Sequence, residues 1–143
     1  MSRTKTTVPS IEDYYSKLNL GAFLRNDSVR RTIDRANESL GLDVRVVMII
    51  TGIHETFMEK KKIGPNQRGD KYKMQVAAGS THVGIEMEFI RTHDSSLIRT
   101  VDEIESAYGT SRSALFSISD EILKTLRLNR IPVDSMEYAK RSV

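Results

Sequence analysis

The chain has no cysteine. That excludes disulfide staples, thiolate zinc sites and thiol catalysis, and with no apolar segment at the N-terminus it points to a reducing, cytoplasmic setting. Long apolar runs are also missing: the longest, Val46–Ile50, falls far short of the roughly 20 residues a membrane helix needs, so no membrane partner is expected. An excess of charge of one sign is missing as well. The 22 Lys and Arg face 19 Asp and Glu, and a net charge of +3 makes no global field that demands a polyanionic partner. No glycine loop for phosphates, no nucleophile elbow and no HExxH pattern occurs. What is present, 143 residues with 38% hydrophobic content, suffices for one domain with its own core.

The pattern along the chain divides it into a flexible basic arm over residues 1–9, one domain over 10–128 and a tail over 129–143. Ser10 caps a short first helix in which Ile11, Tyr14, Tyr15 and Leu18 recur at helical spacing up to Leu20. Asp27 or Ser28 caps a second helix, with Val29, Ile33, Ala36 and Leu40 on one face and Gly41 as the left-handed exit. From Asp43 the period changes. "VRVVMII" is rich in β-branched residues, as a strand covered on both faces is, and a bulge near Thr51-Gly52 brings Ile53 and Phe57 back to the buried side.

Two further runs alternate. Tyr72, Met74, Val76 and Ala78 are followed by Val83, Ile85, Met87 and Phe89, with Glu86 and Glu88 on the opposite, solvent-facing side, and "AGST" between the runs predicts a hairpin turn. In the last third Thr100 and Glu103 form a capping box before Val101, Ile104, Ala107 and Tyr108, and Gly109 ends that helix. Ser111 or Thr110 caps another helix, whose stripe is Leu115, Ile118, Ile122 and Leu126. The expected fold is therefore α+β: two N-terminal helices, a three-stranded and mainly antiparallel sheet, and two C-terminal helices.

The stretch "EIESAYGTSRSALFSI", Glu103 to Ile118, has the parts of a DNA reader: a scaffold helix, a glycine turn and a second helix with small polar residues at its start. Over residues 97–127 the chain resembles the helix-turn-helix of transposases and bacterial repressors. The resemblance implies that Ile104, Tyr108, Leu115 and Ile118 pack internally, that Gly109 makes the turn, and that Ser111, Arg112, Ser113 and Ser117 face DNA. Glu105 and Thr110 depart from the pattern, standing where a small and an apolar residue are usual. Residues 94–127 carry four basic against six acidic side chains, so phosphate attraction must come from elsewhere.

That elsewhere is "KKKIGPNQRGDKYK", in which Lys60, Lys61, Lys62, Arg68, Lys71 and Lys73 face the single anion Asp70. Its Gly and Pro residues make it a turn-rich excursion between two strands, able to lie along a phosphate backbone. The combination predicts a DNA-binding protein, a transcriptional regulator or a replication or segregation accessory factor, that takes double-stranded DNA as a homodimer. No catalytic residue, metal or cofactor is expected. A metal-dependent nuclease is the enzymatic alternative, drawing on His54, His82, His93, Glu55, Glu86, Glu88 and Asp94, although His54 and Glu55 would point to opposite faces of a strand. A structural or assembly protein is the third class, with Ile131, Val133, Met136 and Tyr138 docking on a neighbouring subunit.

Overall fold

The computed structural model describes Tyr15, Ser16, Leu18 and residues 27–63 and 69–127, the side chains of 27–29 excepted. The basic arm over 1–9, most of the first expected helix, Arg68 and the tail from Asn129 lie outside the described residues. Among the described residues five α-helices follow one another: α1 (Asp27–Leu40), α2 (Val44–Lys60), α3 (Asp70–Thr92), α4 (Val101–Tyr108) and α5 (Arg112–Thr125), with a 3-10 turn at Ser95–Leu97 before α4. No strand occurs among the described residues. The α+β expectation is therefore wrong: each of the three expected strands lies in a helix.

The first of those segments is α2. Asp43 starts it by accepting a hydrogen bond from the Val46 N–H at 3.0 Å, the N-cap bond that satisfies one of the free donors of a first turn. Val46, Ile50, Ile53 and Phe57 then fall on one face at steps of four, three and four, all of them buried. A helix accommodates that spacing without a bulge. The helix ends in a Schellman arrangement, with Lys62 left-handed at φ 58 where glycine is usual and the Ile63 N–H bonded to the Met58 carbonyl at 2.9 Å. Ile63 packs against the core, which offsets the backbone strain.

The other two expected strands, and the turn between them, form the single helix α3. Every residue from Val76 to Glu88 is buried, because α3 lies in the middle of the bundle and packs against each of the other four helices. A helix covered all round has no amphipathic stripe to betray its period. "AGST" is its midpoint rather than a turn, and Gly79 is small because α5 passes closely: a Cβ there would meet Ile118 Cγ2 at 2.6 Å. One core layer joins α2, α3 and α5 around Phe57, Val83 and Ile122, and a second joins α1, α2, α3 and α4 around Ile33, Ile50 and Ile104. Each such side chain contributes about 1.5–3 kcal/mol by leaving water.

Glu86 and Glu88, expected on a solvent-facing side, are both buried, at 1% exposure. Glu88 is held by a clamp. It accepts from Arg45 Nε at 3.0 Å, from Arg91 Nε at 3.1 Å and Nη2 at 3.2 Å, and from the Tyr15 hydroxyl, while the Arg45 guanidinium lies 5.8 Å from the centre of the Tyr15 ring. Burial alone raises a carboxyl, but the bonds from Arg91, Tyr15 and Arg45 outweigh it and hold Glu88 below its ordinary value. The clamp ties Tyr15, 73 residues away in sequence, to the middle of the bundle. A third arginine, Arg99, closes the end of α1: its Nε donates to the Leu40 carbonyl at 2.7 Å, a cation at the helix C-terminus, where Gly41 turns left-handed at φ 67.

Candidate nucleic-acid interface

The α4–α5 corner is built from local signals. Thr100 Oγ1 accepts from the Glu103 N–H at 3.0 Å and the Glu103 carboxylate accepts from the Thr100 N–H at 2.7 Å, closing the capping box. Gly109 turns at φ 65, its N–H bonded to the Glu105 carbonyl at 2.8 Å, and Ser111 Oγ then accepts from the Ala114 N–H at 3.2 Å to start α5. Ile104, Tyr108, Leu115 and Ile118 are buried, and the Tyr108 hydroxyl reaches Thr81 Oγ1 on α3 at 2.6 Å. Because Thr81 Oγ1 itself donates to the Ala77 carbonyl, Tyr108 is the donor of that pair.

With the apolar face turned inward, α5 presents Arg112, Ser113, Phe116 and Ser117 to solvent, and its cap Ser111 is exposed too. Arg112 lies across the corner. Its guanidinium pairs with Asp102, and its Nε is 3.8 Å from Glu105 Oε2. Glu105 is thus half-buried and faces the second helix through a cation. Thr110, in a position that is usually apolar, carries its Oγ1 inside with no hydrogen-bond partner.

The lysine-rich segment is the tip of a helical hairpin, not of a β-hairpin. Lys60 closes α2, Lys61 and Lys62 form the turn after it, and Lys71 and Lys73 belong to the first turn of α3; Arg68 lies outside the described residues. Lys60 in the last turn of α2 and Lys61 and Lys62 just after it complement the helix dipole. Lys60, Lys62 and Lys71 are exposed, Lys73 is half-buried, and Lys61 reaches Glu121 of α5 at 2.7 Å. Between tip and corner lies a cleft of 390 Å³ lined by Lys71, Met74 and Gln75 of α3 and by Tyr108, Gly109, Thr110 and Ser111. Lys71 and Ser111, from the two expected site segments, therefore share one cleft.

The groups of the nuclease alternative are dispersed. His54 and His82 are buried, and the loss of hydration lowers each imidazole from 6.5 to about 4, so both are neutral at ordinary pH. His93 and Asp94 are exposed at the end of α3, and Asp94 is occupied in capping the 3-10 turn. His54 and Glu55 share a helical turn rather than opposite strand faces, with Nδ1 and Oε1 3.9 Å apart. Among the described residues no group of three His, Asp or Glu side chains could hold a metal ion. Among them, too, no helix is long and apolar enough to cross a membrane.

Several contributors to the surface were not expected from the sequence, among them Met74, Gln75 and Thr110 as cleft residues, and Phe116. Phe116 could have been found, since it falls off the Leu115, Ile118 and Ile122 stripe onto the polar arc of the helix. Gln75 could not, because its place in the cleft depends on helix packing. Compared with models of known families, with characterised proteins and with solved structures, the chain has no match.

Proposed function

We propose that the protein binds double-stranded DNA through the α4–α5 corner and the lysine-rich tip of the α2–α3 hairpin, acting in two-fold pairs as a transcriptional regulator or as a replication or segregation accessory factor. The observation that carries the proposal is the shared cleft, which Lys71 of the tip and Ser111 at the start of α5 both line. A cation beside the first turn of a helix, whose N–H groups point outward, suits a phosphate. Lys60, Lys61, Lys62 and Lys71 supply the attraction that the acidic corner lacks, while Lys73 is half-buried and contributes less. Ser113, Arg112 and Ser117 follow on the solvent face at the spacing of side chains that enter a major groove.

The ion pairs of Arg112 do not oppose this role. Its side chain is 47% exposed and that of Asp102 is 79% exposed. A surface pair of this kind is worth about 0–1 kcal/mol, whereas a bidentate arginine–guanine contact is worth about 1–3 kcal/mol, so the exchange is favourable.

Electrophoretic mobility shift with a random duplex over a salt series tests the proposal. Replacing Lys60, Lys61 and Lys62 with alanine flattens the slope of log affinity against log salt by roughly two to three units if each lysine meets a phosphate. Arg112→Ala keeps the fold and the slope nearly intact but loses discrimination between sequences. An unchanged slope in the triple variant, or no retention of duplex at low salt, overturns the proposal.

A further inference from the structure

Phe116 stands outside the core of the bundle. It is 39% exposed, one of two large hydrophobic side chains turned to solvent among the described residues, and it belongs to neither core layer. The residues around it on α5 are polar: Arg112 lies one turn before it, Ser113 three positions before, Ser117 beside it and Asp120, paired with Lys124 at 3.0 Å, one turn after, all exposed. One apolar disc ringed by hydroxyls, a guanidinium and a paired carboxylate is a poor seat for a large hydrophobic partner, which would strand those polar groups without water. It matches a surface with a small apolar group among hydrogen-bonding edges. The major groove of DNA is such a surface, because the 5-methyl group of thymine is the apolar feature among its donors and acceptors.

We infer that Phe116 is a specificity-determining residue that packs on a thymine methyl group in the major groove. The inference rests on the DNA-binding reading and adds to it the identity of one base. Arg112 and Phe116 are four residues apart, about 6 Å along the helix at 1.5 Å per residue. Base pairs rise 3.4 Å each, so the thymine lies within about two base steps of the guanine that Arg112 reads.

The test begins with selection of duplexes carrying a random central segment by the native protein, followed by affinity measurements on the enriched duplex made with thymine or with uracil, which lacks only the methyl. Enrichment of a thymine near a guanine is expected, with roughly a three- to fivefold loss of affinity on changing that thymine to uracil, the size of one buried methyl group. Phe116→Ala, checked for folding by circular dichroism, erases the difference while leaving the salt slope on random duplex as it was. Enrichment without a fixed thymine, equal binding of thymine and uracil duplexes, or a difference that survives in Phe116→Ala overturns the inference while leaving DNA binding in place. Failure to bind any duplex removes the parent reading and is distinguishable from these. A shift of Phe116→Ala to a smaller species in sedimentation, with thymine discrimination unchanged, assigns this face to a second copy of the chain and overturns the inference as well.

Discussion

Gly79→Ala tests the central feature of the fold, the close passage of α5 across α3. A methyl group added at Gly79 lies 2.6 Å from Ile118 Cγ2, 3.0 Å from Ile122 Cδ1 and 3.3 Å from the Ser119 backbone nitrogen. Carbon atoms pack at about 3.5–4.0 Å, so a gap of about 1 Å must open. Ile122 Cδ1 is a chain end and can rotate away. Ile118 Cγ2 sits on the β-carbon of a residue that is stiff in a helix, and Ser119 N is main chain, so the relief has to come from α5 as a body. Overpacking of this kind costs about 1–3 kcal/mol, while alanine gains about 1 kcal/mol over glycine inside a helix.

The first effect wins, because the contact is with backbone-proximal atoms. With the cost in the upper part of its range, about 2–3 kcal/mol, a net loss of about 1–2 kcal/mol is expected, which for a domain of this size lowers Tm by roughly 3–8 °C. Thermal and urea unfolding followed by far-ultraviolet circular dichroism measure it. Gly84→Ala should behave similarly, since its methyl would lie 2.8 Å from Ile50 Cγ1 on α2, whereas Gly69→Ala meets nothing within 4 Å and should be nearly neutral. A Gly79→Ala variant as stable as the native protein, beside a neutral Gly69→Ala, would refute the close passage.

Two further outcomes follow from buried charge and buried imidazole. Glu88→Gln keeps the shape of the side chain but removes the charge that receives Arg45, Arg91 and Tyr15, so unfolding free energy should fall by about 1.5–3 kcal/mol; a change under about 0.5 kcal/mol in urea unfolding would mean the clamp adds nothing. The protein should also lose stability in mild acid: the unfolded chain protonates His54 and His82 below pH 6.5 and the folded chain only near pH 4, so stability falls between those values by about 3 kcal/mol per histidine. Glu88, lowered in the folded state, adds to the loss as pH drops through its ordinary carboxyl range, and an unfolding free energy that stays flat from neutrality to pH 4 would contradict the burial of both rings.

The corner was legible in the sequence because everything that makes it lies within a few residues. Thr100 with Glu103, Gly109 and Ser111 act on neighbouring backbone groups, and each does in the structure what its type and spacing predict. In α2 the period was also written in the chain, in Val46, Ile50, Ile53 and Phe57, but β-branched composition argued for a strand and needed a bulge at Thr51-Gly52 to stay consistent. That bulge was the sign of the wrong period. A helix places the same four residues on one face without it.

The central helix and the cleft differ in kind, because what decides them is far away in sequence. From Val76 to Glu88 the interior holds threonine, serine, histidine and glutamate beside valine, and two of these find partners that only the fold supplies: Thr81 Oγ1 meets the Tyr108 hydroxyl from 27 residues downstream, and Glu88 takes Arg45 from 43 residues upstream. A polar residue so placed reads as surface until the partner is known, and alternation of such residues with apolar ones imitates a half-exposed strand. The proposed interface has the same property. Lys71 and Ser111 each belong to a segment that the sequence singled out, yet neither segment says where the other lies, and it is the packing of α3 against the α4–α5 corner, with Tyr108 bonded to Thr81, that makes two separate charge and turn signals into one cleft.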